Sequence, residues 1–243
     1  MSSTNDSLSN KFEQSLTVFS EALHLSFSEI KVLGQSMVHS SYINDHLSEE
    51  MESNERLEFL GDAVLDYVVA KYLYSLFQGM TEGNLTVARV ALVREETLAR
   101  IARKLGVGDL LLLGQGEEIT GGRDRDSNLA GALEALIGVI SLDIGIESAE
   151  IFVLSILKDD IKNISINGLP KDPKSELQEV IQSDYRATPL YRVIDEFGPG
   201  HAKNFVVEVY INEDMILGQG NGTRKSDAER NSAINALANL GKR

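Results

Sequence analysis

NERLEFLGDAVLDYVVAKYL, residues Asn54–Leu73, is the stretch from which the fold can be read. Apolar residues recur through it at three- and four-residue spacing, which predicts a helix. At 100° per residue, Glu55, Glu58, Asp62 and Asp66 fall within roughly an 80° arc of that helix. Carboxylates four residues apart repel by about 0.2–0.5 kcal/mol per pair. Leu57, Phe59, Leu60, Ala63, Val64, Tyr67 and Val68 surround them, so most of the helix surface is apolar. An acidic stripe on such a helix calls for cations or arginines to neutralise it, unless it is simply a solvated face.

A second helical stretch bears on that choice. Leu129–Leu142, LAGALEALIGVISL, carries one charged residue, Glu134. An uncompensated buried carboxylate costs several kcal/mol or stays protonated. If Glu134 faces Glu58 and Asp62, three hard oxygen donors surround one point, a set that suits Mg²⁺ or Mn²⁺. Such an ion can polarise a phosphodiester and activate water.

Outward from these helices, Phe12–Leu25, Leu57–Phe77 and Val87–Leu105 show the same periodicity, punctuated by Gly79, Gly83, Gly106, Gly108 and the 114–122 stretch. The expected units are a helical region over 11–162, a linker over 163–172 marked by Asn, Gly and Pro, and a smaller region over 173–241. In the last, Ser175–Ser183 reads as a helix. Leu190–Asp195, Phe205–Ile211 and Met215–Gln219 read as strands, with a hairpin turn at 212–214. Lys225–Leu240 is helical, with Ala228, Ala233, Ile234, Leu237 and Leu240 on one face, which gives the order α-β-β-β-α.

The chain of 243 residues has a net charge of −14, which by itself argues against a nucleic-acid partner. The charge is uneven, however. From Lys171 onward ten basic side chains face eleven acidic ones, so about −13 sits in the first 170 residues. There is no cysteine, hence no disulfide framework or thiolate metal site, as in a reducing cytosol. No run of 18 apolar residues suggests a membrane span, and the polar start, MSSTNDSLSN, reads as a frayed tail rather than a signal peptide.

The string Asn54-Glu55-Arg56-Leu57-Glu58-Phe59-Leu60-Gly61-Asp62-Ala63-Val64-Leu65 closely resembles the signature of the ribonuclease III family. His39-Ser40-Ser41-Tyr42, Leu92-Val93-Arg94 with Thr97-Leu98-Ala99, and Ala132-Leu133-Glu134-Ala135-Leu136-Ile137-Gly138 extend the likeness. The resemblance implies an all-α endonuclease domain followed by a small α+β (α-β-β-β-α) double-stranded-RNA-binding domain. It implies a cytoplasmic, Mg²⁺-dependent homodimer, with Mn²⁺ able to substitute, that cuts double-stranded RNA in RNA processing and decay, leaving 5′-phosphates and short 3′ overhangs. Glu58, Asp62 and Glu134 would hold the metal. Asp62 and Glu134, with Glu58 and Glu55, would be catalytic. Glu55 and Glu82 would line the cleavage site, and Phe59 would enter the partner subunit.

One departure stands out. The family pattern Leu-Ala-Asp-Ala-Leu-Glu here reads Leu129-Ala130-Gly131-Ala132-Leu133-Glu134. The site is thus one carboxylate short. Water could fill the position, Asp124 or Asp126 could enter from the preceding loop, or the chain could be a catalytically silent binder of double-stranded RNA.

The C-terminal region resembles a double-stranded-RNA-binding domain through Lys174-Ser175-Glu176-Leu177-Gln178-Glu179, Gly198-Pro199-Gly200-His201, Gly218-Gln219-Gly220 and Gly222-Thr223-Arg224-Lys225. Such domains read two successive minor grooves and the phosphates between them. The resemblance places Ser175, Gln178 and Glu179 at one minor groove, His201 at the other, and Lys225 at phosphate. The usual paired lysines appear as Lys225 and Ser226, so Arg224 would supply the second charge. Other signals are weaker. Asp124-Arg125-Asp126-Ser127-Asn128 begins like an EF-hand loop but lacks its Gly and its terminal Glu. Gly114-Gln115-Gly116 has no following P-loop Lys. His39 beside Ser40 reads as a core histidine near a helix end rather than as part of a nucleophilic pair.

Overall fold

The computed structural model describes residues 2–46, 51–169, 172–198, 203–212 and 215–241, with the backbone alone for 2–9 and 167. It divides into two compact units, Met1–Pro170 and Lys171–Arg243. The first unit contains α1 (Ser2–Ala22), α2 (Ile30–Gln35), α3 (Ser40–Asp45), α4 (Glu55–Leu76), α5 (Glu82–Val93), α6 (Glu95–Leu105), α7 (Val107–Leu110), α8 (Gln115–Ile119), α9 (Asp126–Val139), α10 (Ile146–Ile156) and α11 (Lys158–Asn167).

Helix α9 is the axis of this unit. Leu129, Leu133, Leu136 and Ile137 are fully buried on it, and a π-helical turn, Ile140–Ile144, continues it. The span Asp126–Ile144 is apolar and long enough to cross a membrane by composition, but most of it lies inside the unit, where it serves as the core helix. Each buried aliphatic side chain there contributes about 1.5–3 kcal/mol relative to exposure. The start of α4 is pinned by Asn54, which is buried. Its Nδ2 donates to the Ser36 carbonyl at 3.2 Å, and its own carbonyl accepts from the Glu58 amide at 2.8 Å.

Three expectations are corrected. Residues Ser2–Asn10, read as a tail, are the first turns of α1, a stretch without Gly or Pro to stop helix propagation. The periodic run Val87–Leu105 is two helices, broken at Arg94, whose backbone is extended at φ −66° and ψ 152°. The break is stabilised by the buried Thr97, whose Oγ1 donates to the Ala91 carbonyl at 2.9 Å. The expected linker 163–172 begins too early: α11 runs to Asn167, because Ile161 and Ile164 are buried in the helical core.

The second unit contains α12 (Pro173–Tyr185), β1 (Leu190–Phe197), β2 (Asn204–Ile211), β3 (Met215–Gly222) and α13 (Lys225–Asn239). Asp172 caps α12, accepting from the Lys174 and Ser175 amides, with Pro173 in the first turn. The sheet is antiparallel in the order β1-β2-β3, with Val209 opposite Gly218 and Val207 opposite Gly220. These glycines let α13 lie almost on the sheet backbone: a Cβ at Gly220 would stand 2.1 Å from the Ser232 amide nitrogen. Leu177, Ile181, Val209, Ile211, Ala233 and Leu237 fill the core between sheet and helices.

Candidate active site and RNA interface

Helices α4 and α9 cross at two glycines. A Cβ at Gly61 would lie 1.7 Å from the Glu134 carbonyl oxygen, and one at Gly138 would lie 2.3 Å from the Leu57 carbonyl oxygen. Backbone cannot yield to such contacts, so both positions need the missing side chain. The close crossing brings Glu58 and Asp62 on α4 beside Glu134 on α9. Here the two acidic stretches of the sequence meet.

Their electrostatics follow from that meeting. Burial, and then the charges of Asp62, Glu58, Asp66 and Glu95, push the Glu134 carboxyl up to about 7. Burial, and then Glu55 and Asp62, hold the Glu58 carboxyl above its ordinary value. Among the described residues no lysine or arginine forms an ion pair with Glu58, Asp62 or Glu134. Asp66, next on the same stripe, differs: Arg89 Nη1 pairs with it at 3.3 Å.

Gly131 sits one turn before Glu134 and is buried. A Cβ there would meet the Glu58 carboxylate, with Oε2 at 2.8 Å, Cδ at 2.9 Å and Oε1 at 3.2 Å. The space left by the missing side chain is therefore taken by Glu58. Neither Asp124 nor Asp126 reaches across, because Arg103 holds both, Nε to Asp124 Oδ1 and Nη2 to Asp126 Oδ1, each at 2.5 Å.

Glu55 is exposed in the first turn of α4 and accepts from Ser53 Oγ at 3.2 Å. Glu82 is exposed at the start of α5 and accepts from Thr86 Oγ1. Phe59 is 80% exposed. His39 caps α3 and makes a 2.7 Å contact through Nδ1 with Ser41 Oγ, a structural role. Sequence reading missed Glu95 as a neighbour of Glu134, since the long stretch of sequence between them hides that proximity. It also passed over Gly61 and Gly138 as packing residues, although glycine inside an apolar helix is a usable signal of close approach.

The donor chemistry fits a hard divalent cation: carboxylate oxygens that repel one another, partly withdrawn from water, without a basic partner among the described residues. Among the described residues, no three acidic or imidazole side chains are already arranged as a clasp for an ion. Glu58 and Glu134 have the rotatable stems to converge.

In the second unit, Ser175, Gln178 and Glu179 are exposed on α12, and the Ser175 hydroxyl donates to Asp172 at 3.3 Å. Arg224 and Lys225 are exposed where α13 begins. His201 lies outside the described residues.

Residues 29–161 match the model of a Ribonuclease-III-like family, and 173–240 match the double-stranded RNA binding motif. Ribonuclease 3 of Bacillus cereus strain G9842 is 43% identical over 230 residues, 95% of this chain and 93% of its own length. The chain belongs to the ribonuclease III family. A structure of the ribonuclease III nuclease domain from Campylobacter jejuni, flexible in a region involved in dimer formation, superposes with a TM-score of 0.55 at 39% identity. It covers 59% of this chain and 96% of its own. A second, 2.2 Å structure of that domain gives 0.53 at 39% identity, covering 58% and 92%. The helical unit is accordingly a ribonuclease III nuclease unit, and the α-β-β-β-α unit is its duplex-RNA-binding partner in the same chain. Together they make an endoribonuclease of double-stranded RNA.

Proposed function

We propose that the α4–α9 carboxylates form a working Mg²⁺ site and that the chain cuts double-stranded RNA as a cytoplasmic homodimer. The observation that carries this reading is that Glu134 has no basic partner among the described residues, while burial and four acidic neighbours push its carboxyl up to about 7. A structural carboxylate in that position would be expected to have an arginine or lysine beside it. Glu58, Asp62 and Glu134 would hold the ion, with Mn²⁺ able to replace Mg²⁺. The ion would supply Lewis acidity toward the scissile phosphodiester. Asp62 and Glu134 carry the catalytic roles with Glu58, while Glu55, and Glu82 further out, face the RNA. Products would bear 5′-phosphates and short 3′ overhangs.

The dimer is supported by an aromatic stripe on α4. Phe59, Tyr67 and Tyr74 are 80%, 58% and 74% exposed and fall on one face. The Campylobacter jejuni nuclease domain has a region involved in dimer formation, which supports the same reading. Ser175, Gln178 and Glu179 would read one minor groove and His201 the next, with Arg224 and Lys225 on the phosphates. The second reading, a silent duplex binder, is favoured by Gly131. Cleavage of a long duplex RNA with and without Mg²⁺ decides between them. The enzyme reading expects Mg²⁺-dependent fragments of defined length. Intact RNA bound at every Mg²⁺ and Mn²⁺ concentration would establish the silent binder.

A further inference from the structure

We propose that Gly131 is a positioning residue: its missing side chain leaves a seat on α9 that the Glu58 carboxylate fills from α4. Glu58 thereby supplies the anionic oxygens that a side chain at 131 would otherwise bring to the site. This rests on the metal-site reading above.

Gly131 differs from the other two glycines of the helix crossing. A Cβ at Gly61 or Gly138 would strike backbone, so those positions are small because the helices touch there. At Gly131 the three nearest atoms all belong to the Glu58 carboxylate, between 2.8 and 3.2 Å away. Packing of α4 against α9 therefore does not require glycine at 131. Helix propensity opposes it too, since glycine inside a helix is less favourable than alanine, and Ala130 and Ala132 flank it. A locally unfavourable residue whose void is occupied by a single functional group marks a position set by the site rather than by the fold. Asp124 and Asp126, the other carboxylates near the start of α9, are held by Arg103 and leave the seat to Glu58.

The test is Mn²⁺ binding to the full chain without RNA, followed by the paramagnetic resonance of free Mn²⁺. Gly131→Ala removes no ligand, yet it should weaken binding about tenfold, the scale of disturbing a ligand's support. Glu58→Gln should weaken it at least as much. The double variant should bind no worse than Glu58→Gln, because both changes act through the same seated carboxylate. Gly131→Asp should bind more tightly than Gly131→Ala, since it returns the displaced charge. Helical circular dichroism of Gly131→Ala confirms that the fold is kept. Parent-like binding by Gly131→Ala, or losses that add in the double variant, would overturn the proposal. If in that case Asp62→Asn still weakens Mn²⁺ binding, the metal site itself stands. A parent chain that takes up no Mn²⁺ overturns both.

Discussion

Two groups of carboxylates meet α9, and they are treated oppositely. Near its N-terminus, Glu117 accepts from Asn128 at 2.7 Å and pairs with Arg125, while Asp124 and Asp126 share Arg103. Half-way along it, Glu134 faces Glu58 and Asp62 with no described basic partner, and Glu58 leans over Gly131. The consequence is a pair of opposite shifts. The Asn128 hydrogen bond, and then Arg125, hold the Glu117 carboxyl below its ordinary value; burial and like charge push Glu134 up to about 7. Acidic residues with partners order a loop. Acidic residues without them remain available to a cation. Local composition does not separate Glu117 from Glu134, which lie within twenty residues of each other; tertiary partners do.

The sharpest way to break this comparison is Glu134→Gln. Single-turnover cleavage of duplex RNA should fall at least about a hundredfold, the upper end of losses seen when a ligand's surroundings are altered. Retained cleavage within tenfold would mean that Glu134 is not a ligand. The matching change in the other group, Asp126→Asn, should leave cleavage and its Mg²⁺ dependence within about threefold, as expected for a partly exposed ion pair. If Asp126→Asn abolishes cutting instead, Arg103 does not hold that carboxylate away from the site during turnover. The smallest effects are on stability against pH. The folded chain keeps a proton on Glu134 between the ordinary carboxyl value of 4.5 and about 7, where the unfolded chain has lost it. Apo stability should therefore decline as pH rises through that window. Glu117 acts in the opposite sense, contributing stability above its ordinary value that is lost as pH falls toward its lowered one. Melting curves without metal check this: Glu134→Gln should flatten the decline on the neutral side, and saturating Mg²⁺ should do the same in the parent.

Much of this was legible in the sequence. The stripe of Glu55, Glu58, Asp62 and Asp66 follows from helical spacing, and the isolation of Glu134 in an apolar helix follows from composition. The α-β-β-β-α order followed from a change of period near residue 175, and each observed strand begins within one residue of its expected start. What could not be read depends on distant partners. Arg103 lies more than twenty residues before Asp124 and Asp126, so the sequence left both free to serve the metal. The occupant of the Gly131 void comes from a helix more than seventy residues away. The break at Arg94 was hidden because apolar spacing continues across it, and only the Thr97 hydrogen bond to Ala91 reveals the turn.

The carboxylates at the α4–α9 crossing, without a basic partner among the described residues, are held for a divalent cation that displaces the proton on Glu134. A carbon-13 NMR titration of the Glu134 carboxyl in the full chain, without and with saturating Mg²⁺, tests it most directly. The account predicts a midpoint near about 7 in the absence of metal and a clear downward shift when Mg²⁺ is added. A midpoint at the ordinary 4.5, unmoved by Mg²⁺, would contradict it.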